Sequence, residues 1–493
     1  MRRLTEDRRA LAVLALALVL AALSVWQLER QRSGIDIVRF AVGQTPVTSY
    51  MRPGAEGPVV VISHGFAGSS QMMQSYALTL AQAGYRTYAF DYLGHGRNPL
   101  PMSGDIGSVD GATRRLVDQT LAVMASVAND TEPPALIGHS MATDVIIRVA
   151  KEAEVGPVVG LSTFSQAVTR ESPRDLLLIS GQAEGRFRTF AVEAVRQLDP
   201  DGREGEIFTR GGQRRAAMVA PLSDHVSILR NRAAQRAALD WLNGYYGRDG
   251  GAQIPRAGWW LLGLLGAVVA LYYPISRLLD PAGEALRRLH GWRFALVVVA
   301  PAVVAPLAAL TVGTGFMDLL VADYLALHLL VYGVVQLALA WALGMRFGRL
   351  MPAGMALLVF WGIGVFGFAL DRYGANFLPV GSRWWIIALL CLGTVPFMLA
   401  DALVTGGGRG PLWQRLAVRV MFLLSMGLAM ALDFEGLFFL VMIAPVVVLF
   451  YIIFGLMGRW TAQRSGALAA GLGQGAILAW AIGVSFPLFV SLG

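Results

Sequence analysis

Nine stretches of this chain are apolar over the length a bilayer demands, and no water-soluble core can absorb so many. The first, 10–26, is an uncharged run of 17 residues preceded by Arg2, Arg3, Arg8 and Arg9. Eight more lie at roughly 257–276, 294–315, 324–344, 352–370, 384–404, 416–432, 437–456 and 467–490. The segment between has another texture: residues 30–250 carry 23 basic and 22 acidic side chains, against 13 and 8 in 257–493. Water is the implied solvent for the middle of the chain, and lipid for its two flanks.

The charges also orient the spans. Threading alternately from a cytoplasmic N-terminus puts Arg277, Arg287, Arg288, Arg293, Arg346, Arg349, Arg409, Arg415, Arg419, Arg459 and Arg464 inside, making 15 with the first four. The opposite short loops hold only Arg372 and Arg383, with Asp318, Asp323, Asp371, Asp433 and Glu435. Cytoplasmic loops collect arginine, so the expectation is a multi-pass protein of the cell membrane with residues 30–256 exported. Its parts are a first span within 1–29, an extracytoplasmic domain over 30–250, and an eight-span all-α domain over 251–493. A cleaved signal peptide competes for the first segment, since Ala21-Ala22-Leu23-Ser24 offers small residues near its end. The net charge of +8 sits mostly beside spans, which argues for topology and against a nucleic-acid partner. Cys391 is the only cysteine, which excludes an intramolecular disulfide and any Cys-built metal site; no metal or cofactor is expected. His328 and Asp401 are the ionisable residues well inside apolar stretches, and a packing role is favoured for both over an ion pathway.

The exported segment reads as α/β with a mainly parallel sheet. Short apolar runs at 58–63, 86–90, 135–137, 156–161, 175–179 and 215–219 alternate with helical patterns such as 71–83, 110–128, 141–152 and 227–243. One strand, 135–137, runs straight into Gly138-His-Ser140-Met-Ala142 and then a helix. A serine on so tight a strand-to-helix turn needs tiny neighbours two residues away on either side, which Gly138 and Ala142 supply. Ser140 is the candidate nucleophile.

These blocks resemble the α/β-hydrolase fold superfamily over residues 30–247. Ile62-Ser-His-Gly-Phe66 is similar to its His-Gly oxyanion loop, and Asp91-Tyr-Leu-Gly-His-Gly96 to a structural turn near its site. The resemblance assigns the oxyanion-hole amides to Phe66 and Met141, makes His64 a loop-shaping residue, and implies the chain order serine, acid, histidine. Of six histidines only His225, in Pro221-Leu-Ser-Asp-His225, lies after the serine and outside the expected spans and their cytoplasmic loops. It is the candidate base. Glu184, three residues after Gly181, stands where the family's acid does; Asp224 remains the alternative.

The function this implies is a membrane-bound serine hydrolase that cleaves an ester, of lipid or acyl type, through an acyl-enzyme on Ser140. Acyl transfer by the same triad is the close variant, and a transporter or flippase with an accessory hydrolase domain is the rival. Only about ten residues, 165–174, are available where the family inserts a cap. The membrane domain, around Asp318, Asp371 and Asp433, is therefore expected to bound the substrate site.

Overall fold

The computed structural model describes residues 7–105, 108–128, 131–281, 287–312 and 321–490; Arg2, Arg3 and Asp318 lie outside them. By internal contacts the chain falls into two compact units. One comprises Leu23–Leu262, Leu370–Asn376 and Pro487–Gly493, the other Met1–Ala22, Gly263–Ala369 and Phe377–Phe486.

The first unit is built on a nine-stranded sheet whose strands lie in the order β1 (Asp36–Val42), β2 (Thr45–Met51), β4 (Arg86–Phe90), β3 (Val59–Ser63), β6 (Ala135–His139), β7 (Val158–Leu161), β8 (Asp175–Gly181), β10 (Gln213–Ala220) and β9 (Ile207–Arg210), with the short β5 (Met102–Ser103) outside it. Its centre is parallel: β3, β4, β6, β7, β8 and β10. β3, β6 and β7 are buried along their whole length, which is why they read as unbroken apolar runs rather than alternating ones. Val60, Ile62, Ile137, Val159, Leu177 and Ile179 form one core with Leu80, Leu239 and Leu242. Two antiparallel additions close the edges: the hairpin β1 with β2, and β9. Ser63 pairs with Gly138, Leu161 with Ile179, and Ile179 with Met218. Neighbouring strands therefore end together, and every loop that leaves a carboxyl end opens on one edge of the sheet.

The other unit is helical. Among the described residues, eight helices are long and apolar enough to cross a membrane, which supports a membrane protein. They begin with Arg8–Arg32 and Ala257–Ser276 and end with a 46-residue element, Leu440–Ser485. Straight, that element would be about 69 Å long, more than twice the roughly 30 Å of a hydrocarbon core. It breaks at Gly466, whose φ of 80° and ψ of 166° only glycine adopts freely. The two expected stretches 437–456 and 467–490 are thus the two arms of this element, one on either side of Gly466, so the eight helices found among the described residues carry all nine expected apolar stretches. The polar side chains inside them find local partners. His328 bonds Ser425 Oγ through Nε2 (3.0 Å) and Tyr324 OH through Nδ1 (3.1 Å), and Asp401 pairs with Arg419 (3.5 Å). Arg383, read from the sequence as a loop residue, is fully buried and donates to the Gly483 and Phe486 carbonyls at 2.9 and 2.6 Å, covering the end of the last helix.

Helices Ala322–Ala342 and Arg383–Val404 approach closely enough that a Cβ on Gly333 would fall on the Phe397 backbone nitrogen, and one on Gly393 on the Ala326 carbonyl. Gly333→Val is expected to destabilise this pair by about 1–3 kcal/mol through overpacking, read as a lower melting temperature of the detergent-solubilised chain. Gly266→Ala, which meets no atom within 4 Å, should leave melting unchanged.

Candidate active site

β6 delivers its last residue, His139, and Ser140 follows at φ 53°, ψ −119°, a conformation non-glycine residues rarely hold. The sheet compels it. Ser140 N–H donates to Leu161 O of β7 (2.9 Å), while the helix Met141–Glu152 starts at once. A Cβ on Gly138 would meet Ala142 O and Ile146 Cδ1, each at 2.9 Å, so a larger residue would push the helix off the strand. Gly65 is as constrained, because its Cβ would come within 3.0 Å of Ser140 Cβ. The loop after β3 therefore passes against Ser140. Phe66 sits on the loop after β3, and Met141 opens the helix that follows Ser140, so its amide belongs to a first turn, where N–H groups lack an intrahelical acceptor.

His225 arrives from the loop after β10. Its Nε2 lies 2.9 Å from Ser140 Oγ and its Nδ1 2.6 Å from Glu184 Oε1. Beside a carboxylate, Nδ1 carries the proton and Nε2 is left to accept the serine hydroxyl. Glu184 is 8% exposed, and burial works to raise its pKa; the hydrogen bonds from His225, from Ser162 Oγ (2.7 Å) and from Gly181 N–H (2.6 Å) outweigh that and hold it below the ordinary glutamate value. Asp224, the alternative acid, is turned to its own loop. Its Oδ1 accepts from Ser227 N–H (2.8 Å), Ser227 Oγ (2.8 Å) and Val226 N–H (3.0 Å). Glu184, rather than Asp224, stands at the imidazole.

Three neighbours of this line were not read from the sequence. Ser162, itself at φ 53°, comes from the end of β7 to hold the second carboxylate oxygen. Phe187 stacks on the His225 ring with centroids 5.3 Å apart. His139 donates from Nε2 to the His225 carbonyl (2.8 Å); burial first, then the nearby His225, push its pKa down to about 4, so it stays a neutral donor. His139 lies within the elbow motif, the one sequence signal that could have pointed to it; Ser162 and Phe187 carried no local signal.

His64 and His95 serve the loops. His64 donates from Nδ1 to Gly65 O (2.8 Å) and accepts the Tyr92 N–H at Nε2 (3.1 Å), so neither nitrogen is free to act as a base. Asp91 accepts from Ser70 N–H (2.7 Å) and Arg97 N–H (3.0 Å), tying its turn to the segment behind the Phe66 loop.

Two segments from far along the chain complete this surround within the same unit. Asn376 N–H donates to Ser69 Oγ (3.0 Å) and its side-chain amide to Gly96 O (3.2 Å), while Asp371 pairs with Arg97 (2.5 Å). Phe489–Val490 adds as a strand to Met102–Ser103, Leu488 exchanges backbone bonds with Gly94 and Met102 (2.8 Å each), and the Phe489 ring lies 6.2 Å from that of Phe66. Of the acids expected here, Asp371 is present, and Asp433 caps its own helix at Gly436 N–H (3.0 Å).

Residues 55–215 match the family model described as serine aminopeptidase, S33. No curated protein matches the chain. Among solved structures it is similar to a CIB-like hydrolase from Thermoplasma acidophilum (16% identity, 43% of this chain and 98% of that one, TM-score 0.34). It is also similar to a dienelactone hydrolase from Anabaena variabilis (19%, 43% and 97%, 0.32) and an E-2-(acetamidomethylene)succinate hydrolase (13%, 43% and 99%, 0.31). The sheet, the elbow and the family match make the first unit an α/β-hydrolase domain of hydrolase type.

If the three residues act as one machine, Ser140→Ala and His225→Ala each lower turnover by about 10⁶, the double variant hardly more, and Glu184→Gln by about 10⁴. Ser162→Ala, which removes one donor to a buried carboxylate, is expected to cost about tenfold or more, and Asp224→Asn less than any of these. Additive losses in the double variant, or a worse Asp224→Asn, would refute the assignment. Stability should also depend on pH through His139. Its folded pKa is depressed from 6.5 to about 4, so its contribution is whole above pH 6.5 and drains away as pH falls towards 4, by about 3 kcal/mol in total. His139→Gln keeps a donor without a titrating ring, and should flatten the melting temperature between those pH values.

Proposed function

We propose that the chain is a membrane-bound serine hydrolase that cleaves an ester of an apolar acyl group, with its catalytic domain on the extracytoplasmic side. The observation that carries this reading is the hydrogen-bonded line Ser140–His225–Glu184 on a strained elbow at the carboxyl edge of a parallel sheet. Ser140 Oγ attacks the acyl carbon as its proton passes to His225 Nε2. Glu184 stabilises the imidazolium, and the amides of Phe66 and Met141 receive the oxyanion. The proton then goes from Nε2 to the leaving alcohol, and water, activated by the same nitrogen, releases the acid from Ser140. A second alcohol in place of water would make the reaction an acyl transfer.

Apolar side chains rim the site. Phe164, Leu222 and Val226 are exposed by 59%, 94% and 62%, beside Phe187 on the imidazole. They suit an acyl chain better than a sugar or a nucleotide. Phe489 and Asn376, packed around the Phe66 and Asp91 loops, take the place of the missing cap and support a site bounded by segments that follow the spans. The arginine asymmetry supports the sidedness. The family's description favours a second reading, cleavage of an N-terminal aminoacyl bond. The nearby described carboxylates do not support it: Asp144 is paired with Arg148 and bonded by Ser165, and Asp224 is turned to Ser227 in its own loop.

A fluorophosphonate probe should label the full chain and not its Ser140→Ala variant; an unlabelled wild-type chain would refute a serine hydrolase. Against a panel of acyl esters and aminoacyl amides, turnover should rise with acyl length, and Phe489→Ala should depress long-chain esters in vesicles several-fold more than short soluble ones. Faster cleavage of the amides would transfer the assignment to the aminopeptidase reading.

A further inference from the structure

A cavity of about 790 Å³ opens at the foot of the α/β unit, away from the triad. Arg30, Arg52, Arg232 and Arg236 line it with Gln27, Gln82 and the linker 251–255, and no Asp or Glu is among its walls. Arg232 donates from Nε to Ile254 O (2.7 Å) and Arg236 from Nη2 to Ala252 O (3.1 Å). Both guanidinium groups are thereby held in place with other N–H groups unspent. Arg30 lies over the Trp26 ring at 5.9 Å. The acid beside it in sequence, Glu29, is taken up by Arg372 (2.6 Å) and Arg32 (3.9 Å). Neither Arg30 nor Arg52 has a carboxylate partner among the described residues. Four like charges around one hollow repel one another, and the repulsion grows where low-dielectric lipid is near.

Lipid is near by construction of the chain. One wall is the last turn of the Arg8–Arg32 helix and the other is the linker that enters the Ala257–Ser276 helix, both apolar enough to span. Trp26 and Trp259, exposed by 57% and 73%, are placed on those helices as interfacial anchors are. The cavity thus stands at the level of lipid headgroups. On the topology read from the sequence these arginines face away from the arginine-rich loops, so the positive-inside tendency gives no reason for them.

We propose that this cavity binds a phosphate-bearing anion, the phosphodiester of an anionic phospholipid headgroup, through Arg30, Arg52, Arg232 and Arg236. The planar fork of guanidinium matches phosphate oxygens in pairs, and Gln27 adds a neutral donor for headgroup hydroxyls. None of Ser140, His225 and Glu184 lines the cavity, so the bound lipid is a resident of the protein and not the ester being cut.

The test uses the full chain in nanodiscs of phosphatidylcholine, with fluorescent phosphatidylglycerol as the probe and inorganic phosphate as competitor. Wild type should bind the probe, and Arg52→Gln/Arg236→Gln should bind it roughly thirtyfold more weakly. Arg52→Lys/Arg236→Lys should retain most of the affinity, and fluorophosphonate labelling of Ser140 in all three reports that they are folded. Binding lost in the glutamine pair and kept in the lysine pair, with phosphate unable to displace the lipid at millimolar concentration, supports the proposal. Displacement of the probe by phosphate alone would keep the phosphate chemistry and overturn the lipid source. Equal binding by wild type and the glutamine pair, or no preference for phosphatidylglycerol over phosphatidylcholine, would overturn the site.

Discussion

The hydrogen-bonded line Ser140–His225–Glu184 depends on one backbone conformation, the left-handed turn at Ser140 between β6 and the Met141–Glu152 helix. A serine forced to φ 53° stores strain of order 1–3 kcal/mol, and the surround holds it there. Leu161 O fixes its amide from the neighbouring strand, Gly138 lets the helix close behind it, and Gly65 lets the loop after β3 close in front. Each is a steric requirement rather than a chemical one, yet together they aim one hydroxyl at one imidazole nitrogen. The parallel register does the rest: β6, β8 and β10 end level, so residues 140, 184 and 225 meet although 85 positions separate the first from the last.

What the sequence made legible follows from how local each signal is. The elbow is a five-residue pattern between a strand and a helix, so Ser140 could be read directly, and His225 followed once the span and loop histidines were set aside. Glu184 rested on resemblance, because three residues after a strand is weak spacing information. Ser162 and Phe187 could not be found that way, since their roles exist only when β7, β8 and β10 lie side by side. The hairpin Asp36–Met51 was missed for another reason: β1 has exposed or half-exposed residues throughout, so it lacks the apolar run that betrayed the central strands. Segments 370–376 and 487–490 are harder still. The first is a short mixed stretch at the end of one expected span and the second is the apolar tail of another, and nothing in them points to Ser69, Gly94 or Arg97, hundreds of residues earlier.

The spans show the converse limit. Hydropathy counts apolar length and does not show how two stretches are joined: the last two run on in one element, bent at Gly466. It is blind as well to whether a buried polar group is satisfied. His328, Asp401 and Arg383 sit in an environment where an unpaired charge or donor is costly, and each is met by a serine, an arginine or a helix-end carbonyl. Such closed local pairs answer the demands of folding in lipid and leave no array of exchangeable sites of the sort a transport pathway requires. The rival reading of an ion or lipid transporter therefore draws no support from these residues.

Glutamate rather than aspartate at position 184 has a steric logic of its own. Residue 184 directly precedes the helix Gly185–Arg196, where an aspartate would ordinarily turn forward to cap the helix amides. Here the side chain gives the helix no cap bond. It folds back to Gly181 N–H and Ser162 with one oxygen and reaches His225 with the other. The additional methylene separates the two tasks, because the carboxylate can leave the cap position without moving the backbone that starts the helix. It still stands at a helix N-terminus, where a negative charge is favoured, and it remains buried while the imidazole it serves is 39% exposed. The imidazole is thus open to solvent on one side, while the carboxylate bonded to it is covered.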